Sequence, residues 1–285
     1  MRNPLTRTIP RRWVQRLLAL FLIVFLGSVA ASLLIIDQLS RDLPSLDRLR
    51  NIQPSEKTVL FAANGDTLHE FYTQNRTVVP LERMPHHLLD AVVSIEDRRF
   101  YDHYGIDLKR IVKIVIDNLL GRGRPGASTL TMQLARNLFL TFEKTLERKA
   151  REMILAVQIE QIYTKDEILA MYLNQIYLGQ GTYGVQAASH LFFGDDVWDL
   201  EPAETTMLAG MIQLPERYSP FNHLDAAYRR RSIVLGSMVA AGRLTREQAR
   251  TIDETPVAVA DPQRRRQEAG FAAYYVEEVR RYLEQ

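Results

Sequence analysis

Residues 88–105 read LLDAVVSIEDRRFYDHYG. Leu88, Leu89, Val92, Val93 and Ile95 repeat at helical spacing, which predicts a helix burying one apolar stripe. The stripe stops at Glu96 and Asp97. Neighbours on a helix point about 100° apart, so these two cannot work as a facing pair. Two solvated charges is the ordinary reading of such a dipeptide. Yet a carboxylate at a helix C-terminal end is disfavoured by the helix dipole. Phe100 and His103 are close enough in sequence to half-enclose Glu96, a setting that suits a general base worth about 10²–10⁴-fold in rate.

A second informative stretch is GASTLTMQLARN from Gly126. A glycine loop leads into a helix whose Thr129, Gln133 and Arg136 share one face, while Leu130, Leu134 and Leu138 share another. The apolar face is ordinary core. The polar face at a helix N-terminus could cradle a phosphate, although the pattern alone is a weak signal. Further on, Arg148 and Glu152 stand i,i+4, usually a modest surface pair. Glu152, Ala156 and Glu160 also share a face. If that face turns inward, Arg148, Lys149 and Glu152 form a charged cluster in a cleft; a solvated face is the bland alternative. The run 106–120 is rich in Ile, Val and Leu with Lys109, Arg110 and Lys113 between them. It suits a membrane interface better than water, with a buried core helix as the competing reading.

The 285 residues include 36 basic and 34 acidic side chains, so no global field calls for nucleic acid. The N-terminus is less even. Arg2, Arg7, Arg11, Arg12 and Arg16 occur in the first 36 residues with no acid, and 17–36 is free of charge. As a helix that run spans roughly 30 Å, a bilayer core, and the arginines place the N-terminus in the cytoplasm. Expected segments are therefore a basic cytoplasmic tail over 1–16, a transmembrane anchor over 17–36 and a linker over 37–56. Ser28-Val29-Ala30 offers a signal-peptide cut site, but the apolar run continues to Ile36, favouring a retained anchor. The absence of cysteine removes disulfides and thiol catalysis.

Beyond 57 the pattern predicts a hairpin of 58–61 and 67–72 turning at Asn64-Gly65, another short strand over 76–81, then helices almost throughout. Thr164 to Glu167 is a capping box whose helix closes near Gly179. Gly184 to Phe192 makes a helix capped by Gly194, Pro202 sits at a first helical position, and Thr245 with Gln248 opens one more.

Taken in order, EDRRFYDHYGID, GASTLTMQLARN, RKAREMILAVQIEQIYTKDEILAMYLN, GQGTYGVQAAS and LEPAETTMLAGMIQLPERYSP resemble the five motifs of the peptidoglycan glycosyltransferase family. That family comprises monofunctional transglycosylases and the N-terminal module of class A penicillin-binding proteins. The resemblance covers 57–285. It implies a mainly α, lysozyme-like helical domain with a small β-hairpin, set against the membrane behind one N-terminal transmembrane helix. It implies polymerisation of lipid II into β-1,4-linked glycan, with inversion at the anomeric carbon and release of undecaprenyl pyrophosphate. By position, Glu96 becomes the general base and Glu152 the second functional glutamate, acting at the donor pyrophosphate directly or through a metal. Arg136, Arg148 and Lys149 fall where the family places cations. Ser128, Thr129 and Gln133 match polar groups lining the cleft, and Asp97, Phe100 and His103 shape the surroundings of the base. No cofactor is required, metal ligands stay unassigned, and a divalent cation, Mg or Mn, at the pyrophosphate is left open. Implied partners are lipid II, the lipid-linked glycan chain, the inner membrane, and cell-wall synthesis or division proteins; moenomycin is the expected inhibitor.

The family commonly has lysine where Arg136 stands and glutamine where Met132 stands. Arginine keeps the charge with a different geometry, and methionine loses one hydrogen bond. No serine has lysine three positions on and no Lys-Thr-Gly occurs, so no acyl-serine transpeptidase is present. Residues 256–285 resemble the connection to such a second module. A lysozyme-like hydrolase or lytic transglycosylase is one alternative, against which the three cations speak. A non-catalytic scaffold of the cell-wall machinery is another, against which both retained glutamates speak.

Overall fold

The computed structural model describes residues 11–41, 43–45, 49, 58–61, 67–71, 77–121, 126, 128–140 and 145–261. In chain order these form α1 (Arg11–Ser40), β1 (Thr58–Phe61), β2 (Thr67–Phe71), α2 (His86–Glu96), α3 (Leu108–Leu119), α4 (Leu130–Phe139) and α5 (Leu146–Ile162). There follow α6 (Lys165–Gln175), β3 (Tyr177–Gly179), β4 (Thr182–Tyr183), α7 (Val185–Phe192), α8 (Pro202–Met211), α9 (Leu224–Ala240) and α10 (Arg246–Glu254). The tail over 1–10, the turn at 64–65, the loop 122–125 and the stretch 262–285 lie outside the described residues.

Side chains start most of these helices. Asp107, Thr129, Thr145, Thr164 and Thr245 each accept a backbone N–H from the first turn of α3, α4, α5, α6 and α10. Each satisfies a donor the helix cannot pair internally. Thr164 with Glu167 and Thr245 with Gln248 are full capping boxes, as the sequence predicts. Pro202 opens α8 behind the reciprocal pair Glu201 and Glu204. In α8 every residue from Ala203 to Met211 except Glu204 is buried, the mark of a helix enclosed on all sides. It packs on α2 and α9, while α4 packs on α5 and α6. Glu96, last residue of α2, meets α4 where these two groups join.

Some expectations change. Residues 77–80 form no strand. The Asn174 side chain takes a strand's place, accepting from Val79 N and donating to Val79 O, both at 2.8 Å. The helix read as closing near Gly179 ends at Gln175, and a hairpin the sequence did not predict follows. Its strands β3 and β4 are antiparallel, with Gln180 (φ 53°) and Gly181 (φ 72°) between them. Positive φ at both central residues is the turn that matches the twist of a tight hairpin. The predicted β1–β2 hairpin is present and antiparallel.

Helix α1 covers the whole segment read as an anchor, and Leu18, Phe21, Ile23 and Phe25 on it are exposed. Among the described residues no helix is long and apolar enough to cross a membrane. The reading of 106–120 as a core helix is overturned, because no residue of α3 is buried. Leu108, Val112, Val115, Ile116 and Leu119 all face out.

Gly105 (φ 76°) brings the loop after α2 against α5, where an added Cβ would lie 2.8 Å from the Ala156 carbonyl carbon and oxygen. Neither the dihedral nor the gap accepts a side chain. Gly105→Ala is expected to lower unfolding free energy by about 2 kcal/mol or more in urea denaturation. A variant as stable as the parent would mean that this loop is free to leave α5.

Candidate active site

Helix α2 ends at Glu96, and Asp97 turns off it with φ −151°. That turn swings Asp97 inward, where it is 1% exposed. Its Oδ2 accepts from Leu130 N at 3.0 Å, at the first residue of α4, and lies 2.9 Å from His103 Nε2. A helix N-terminus carries partial positive charge, so the buried carboxylate is stabilised there. Phe100 is fully buried with its ring edge-on to His103, the centroids 6.3 Å apart. Phe100 and His103 therefore enclose Asp97, and the expectation that they enclose Glu96 is corrected. Thr129 donates to Gly105 O at 2.6 Å and caps α4. It is fully buried, so it braces the helix start and presents nothing to a cleft.

Glu96 is left half-exposed on the other side of this brace. Its Oε2 accepts from Gln133 Nε2 at 2.8 Å, and the Gln133 Oε1 accepts from the Tyr172 hydroxyl at 3.1 Å. The unfavourable end of α2 is compensated from α3, whose Arg110 donates to Glu96 O at 3.2 Å. Arg110 N also donates to Asp107, which pairs with the Arg99 guanidinium. Burial disfavours the charge on Asp107, but these donors outweigh it and hold its carboxyl below the usual value. Glu96 opens onto a cleft of about 470 Å³ lined also by Arg98, Lys109, Arg110 and Lys113.

The face of α5 bearing Glu152, Ala156 and Glu160 turns inward, with exposures of 1%, 0% and 7%, and the solvated-face reading falls. Glu152 pairs with Arg148 through one oxygen and with Lys149 Nζ, at 2.7 Å, through the other. Lys149 also donates to the Ser128 hydroxyl. Burial, then the like charges of Arg136 and Arg148, push the Lys149 ammonium down from 10.5 to about 8. Arg136 reaches this cluster from α4, and among the described residues its buried Nε has no hydrogen-bond partner. Glu160 is occupied elsewhere, by Thr131 at 2.6 Å and Lys165 at 2.7 Å.

Of the residues singled out in the sequence, Glu96 and Gln133 are brought together, as are Ser128, Arg148, Lys149 and Glu152. Helix α4 joins the two sets, with Gln133 turned to the carboxylate and Arg136 to the cations. Met132 is 1% exposed, so its departure from glutamine lies in the core and removes nothing from the cleft. Sequence reasoning missed Tyr172 and the role of Arg110. Tyr172 sits in an apolar run and reads as core, but a buried tyrosine hydroxyl requires a partner, and that was the available signal. Among the described residues no group of three or more His, Cys, Asp or Glu could hold a metal ion. Both Glu152 oxygens face cations, which does not fit a divalent ion of the Mg or Mn type.

A family model described as Transglycosylase matches residues 64–239. The chain is 39% identical to penicillin-binding protein 1A of Aquifex aeolicus over 85% of this chain and 33% of that one. It is 43% identical to penicillin-binding protein 1F of Bacillus subtilis over 66% of this chain and 26% of the relative. Penicillin-binding protein 1A of Escherichia coli is 37% identical over 83% of this chain and 28% of its own. The 2.6 Å crystal structure of penicillin-binding protein 1A from Haemophilus influenzae aligns with TM-score 0.44 and 20% identity, covering 73% of this chain and 22% of that chain. The chain thus spans about a quarter to a third of the length of these curated relatives. The matched segment contains Glu96, Gln133 and the whole cation cluster around Glu152, and the chain belongs to the transglycosylase family.

Proposed function

We propose that this chain polymerises lipid II into β-1,4-linked glycan strands of peptidoglycan, inverting the anomeric carbon and releasing undecaprenyl pyrophosphate. The observation behind this reading is the polar face of α4, which ties a cleft-facing carboxylate to a cluster of cations. Glu96 takes the proton of the acceptor sugar's 4-hydroxyl. The oxygen forms a bond to C1 of the donor, the C1–oxygen bond to pyrophosphate breaks, and the leaving group departs with the electron pair. That developing anion needs positive charge more than a strong acid, which Arg136, Arg148 and Lys149 supply. Glu152 holds Arg148 and Lys149 in place, and Arg136 adds its charge to theirs from α4.

The substrate's lipid favours a site at the bilayer. The outward apolar residues of α3, flanked by Lys109 and Lys113, suit an interfacial position beside the cleft. The arginines before 17–36 and the continuous helix α1 support an inner-membrane anchor with the domain outside the cytoplasm. Cell-wall synthesis or division proteins are the partners this role calls for.

Purified protein is expected to polymerise labelled lipid II in detergent, and Glu96→Gln to lose about 10²–10⁴-fold in rate. An active Glu96→Gln enzyme would sink the base assignment, and cleavage of finished glycan without polymer would favour the hydrolase. Lys149 supplies a second check. It is protonated below its value of about 8 and neutral above it, so kcat/KM, which reports the free enzyme, should fall as pH rises through that point. Lys149→Arg, which stays charged, should carry the alkaline fall to higher pH. An unmoved alkaline limb would exclude Lys149 from it.

A further inference from the structure

The geometry points to Tyr172 as a positioning residue for the general base, acting through the orientation of the Gln133 amide. This rests on the proposed role of Glu96. A glutamine side chain has a donor end and an acceptor end, and only the donor end suits a carboxylate. Nothing in Gln133 itself selects the orientation in which Nε2 meets Glu96 at 2.8 Å. The ionised carboxylate favours it, and the Tyr172 hydroxyl, donating to Oε1 at 3.1 Å from the other end, holds it whether or not Glu96 carries charge.

Tyr172 is suited to this. It is fully buried on α6, so its hydroxyl has no water to turn to. Burial, with the negative charge of Glu96 added, pushes the phenol well above its ordinary 10, and it stays a donor throughout the working range. The charges facing the relay are Glu96 and Asp97 at the end of α2 and Arg136 on α4, with Arg110 of α3 on the Glu96 carbonyl. All of these stay in place when only the hydroxyl is removed. Without it the amide is free to turn when Glu96 takes up a proton, and Oε1 can then accept from the carboxylic O–H, an acceptor that the wild-type orientation denies it. Protonation of Glu96 is then favoured, and the base is lost first at low pH.

The test is the pH profile of kcat/KM for lipid II polymerisation by the full chain, comparing wild type with Tyr172→Phe. The acid limb is expected to move up by about one unit, the loss approaching tenfold on the acid side of the limb and vanishing on the plateau above it. In a Gln133→Ala background Tyr172→Phe should displace the limb no further. A loss equal at all pH values, no loss, or an additive effect in the double variant would overturn the inference and leave Tyr172 as packing. If Tyr172→Phe fails to fold by its melting curve, Gln133→Asn leaves the ring in place and shortens the amide's reach. An unmoved acid limb in that variant would equally overturn the relay. Glu96→Gln separates the two levels: full activity there removes the base assignment itself, whereas an inactive Glu96→Gln beside a pH-independent Tyr172→Phe removes only the positioning role.

Discussion

The buried carboxylate of Asp97 at the start of α4 is the constraint on which the site depends. An ionised group inside a protein is costly unless donors surround it, and here the donors come from separate parts of the chain. The Leu130 amide belongs to α4 and His103 to the loop after α2, while Phe100 walls the pair from behind. To bring both donors onto Asp97 Oδ2, the end of α2, the following loop and the start of α4 must come together; among the described residues the buried Oδ1 has no hydrogen-bond partner. Once they do, Glu96, a residue earlier on the chain, has its position set opposite Gln133. Gly105 and Thr129 fix the same junction from the side of α5.

The cluster around Glu152 follows a different rule. Three cations and one carboxylate leave an excess of positive charge in a half-buried place, and burial first, then the neighbouring guanidinium charges, depress the Lys149 ammonium. A protein selected for stability alone has little reason to gather charges this way. The arrangement makes physical sense when an anion of higher charge is meant to complete it.

Much of this was legible in the sequence, and the limits have identifiable causes. Helix starts were clear where a side chain closes the first turn, as at Thr164, Pro202 and Thr245. The stripe ending at Glu96 was equally clear. Which member of the Glu-Asp pair turns inward was not, because a single backbone dihedral at Asp97 decides it. The i,i+4 spacing of Arg148 and Glu152 was visible, but whether that face meets water or α4 is a tertiary fact. Residues 77–80 read as a strand because their composition suits extended chain; their partner is a side chain nearly a hundred positions away, beyond the reach of any local pattern. The β3–β4 hairpin was hidden by brevity, since strands of three and two residues leave no alternation to detect.

The state of Lys149 has a consequence for covalent chemistry. An amine with a value near 8 is present as free base in an appreciable share of molecules at mildly alkaline pH, when surface lysines are almost wholly ammonium. Only the free base has a lone pair with which to attack an acylating reagent. The burial of Lys149, together with the crowding of cations that prepares the cluster for an anion, therefore also makes position 149 a selective point of capture for an electrophile that can enter the cleft.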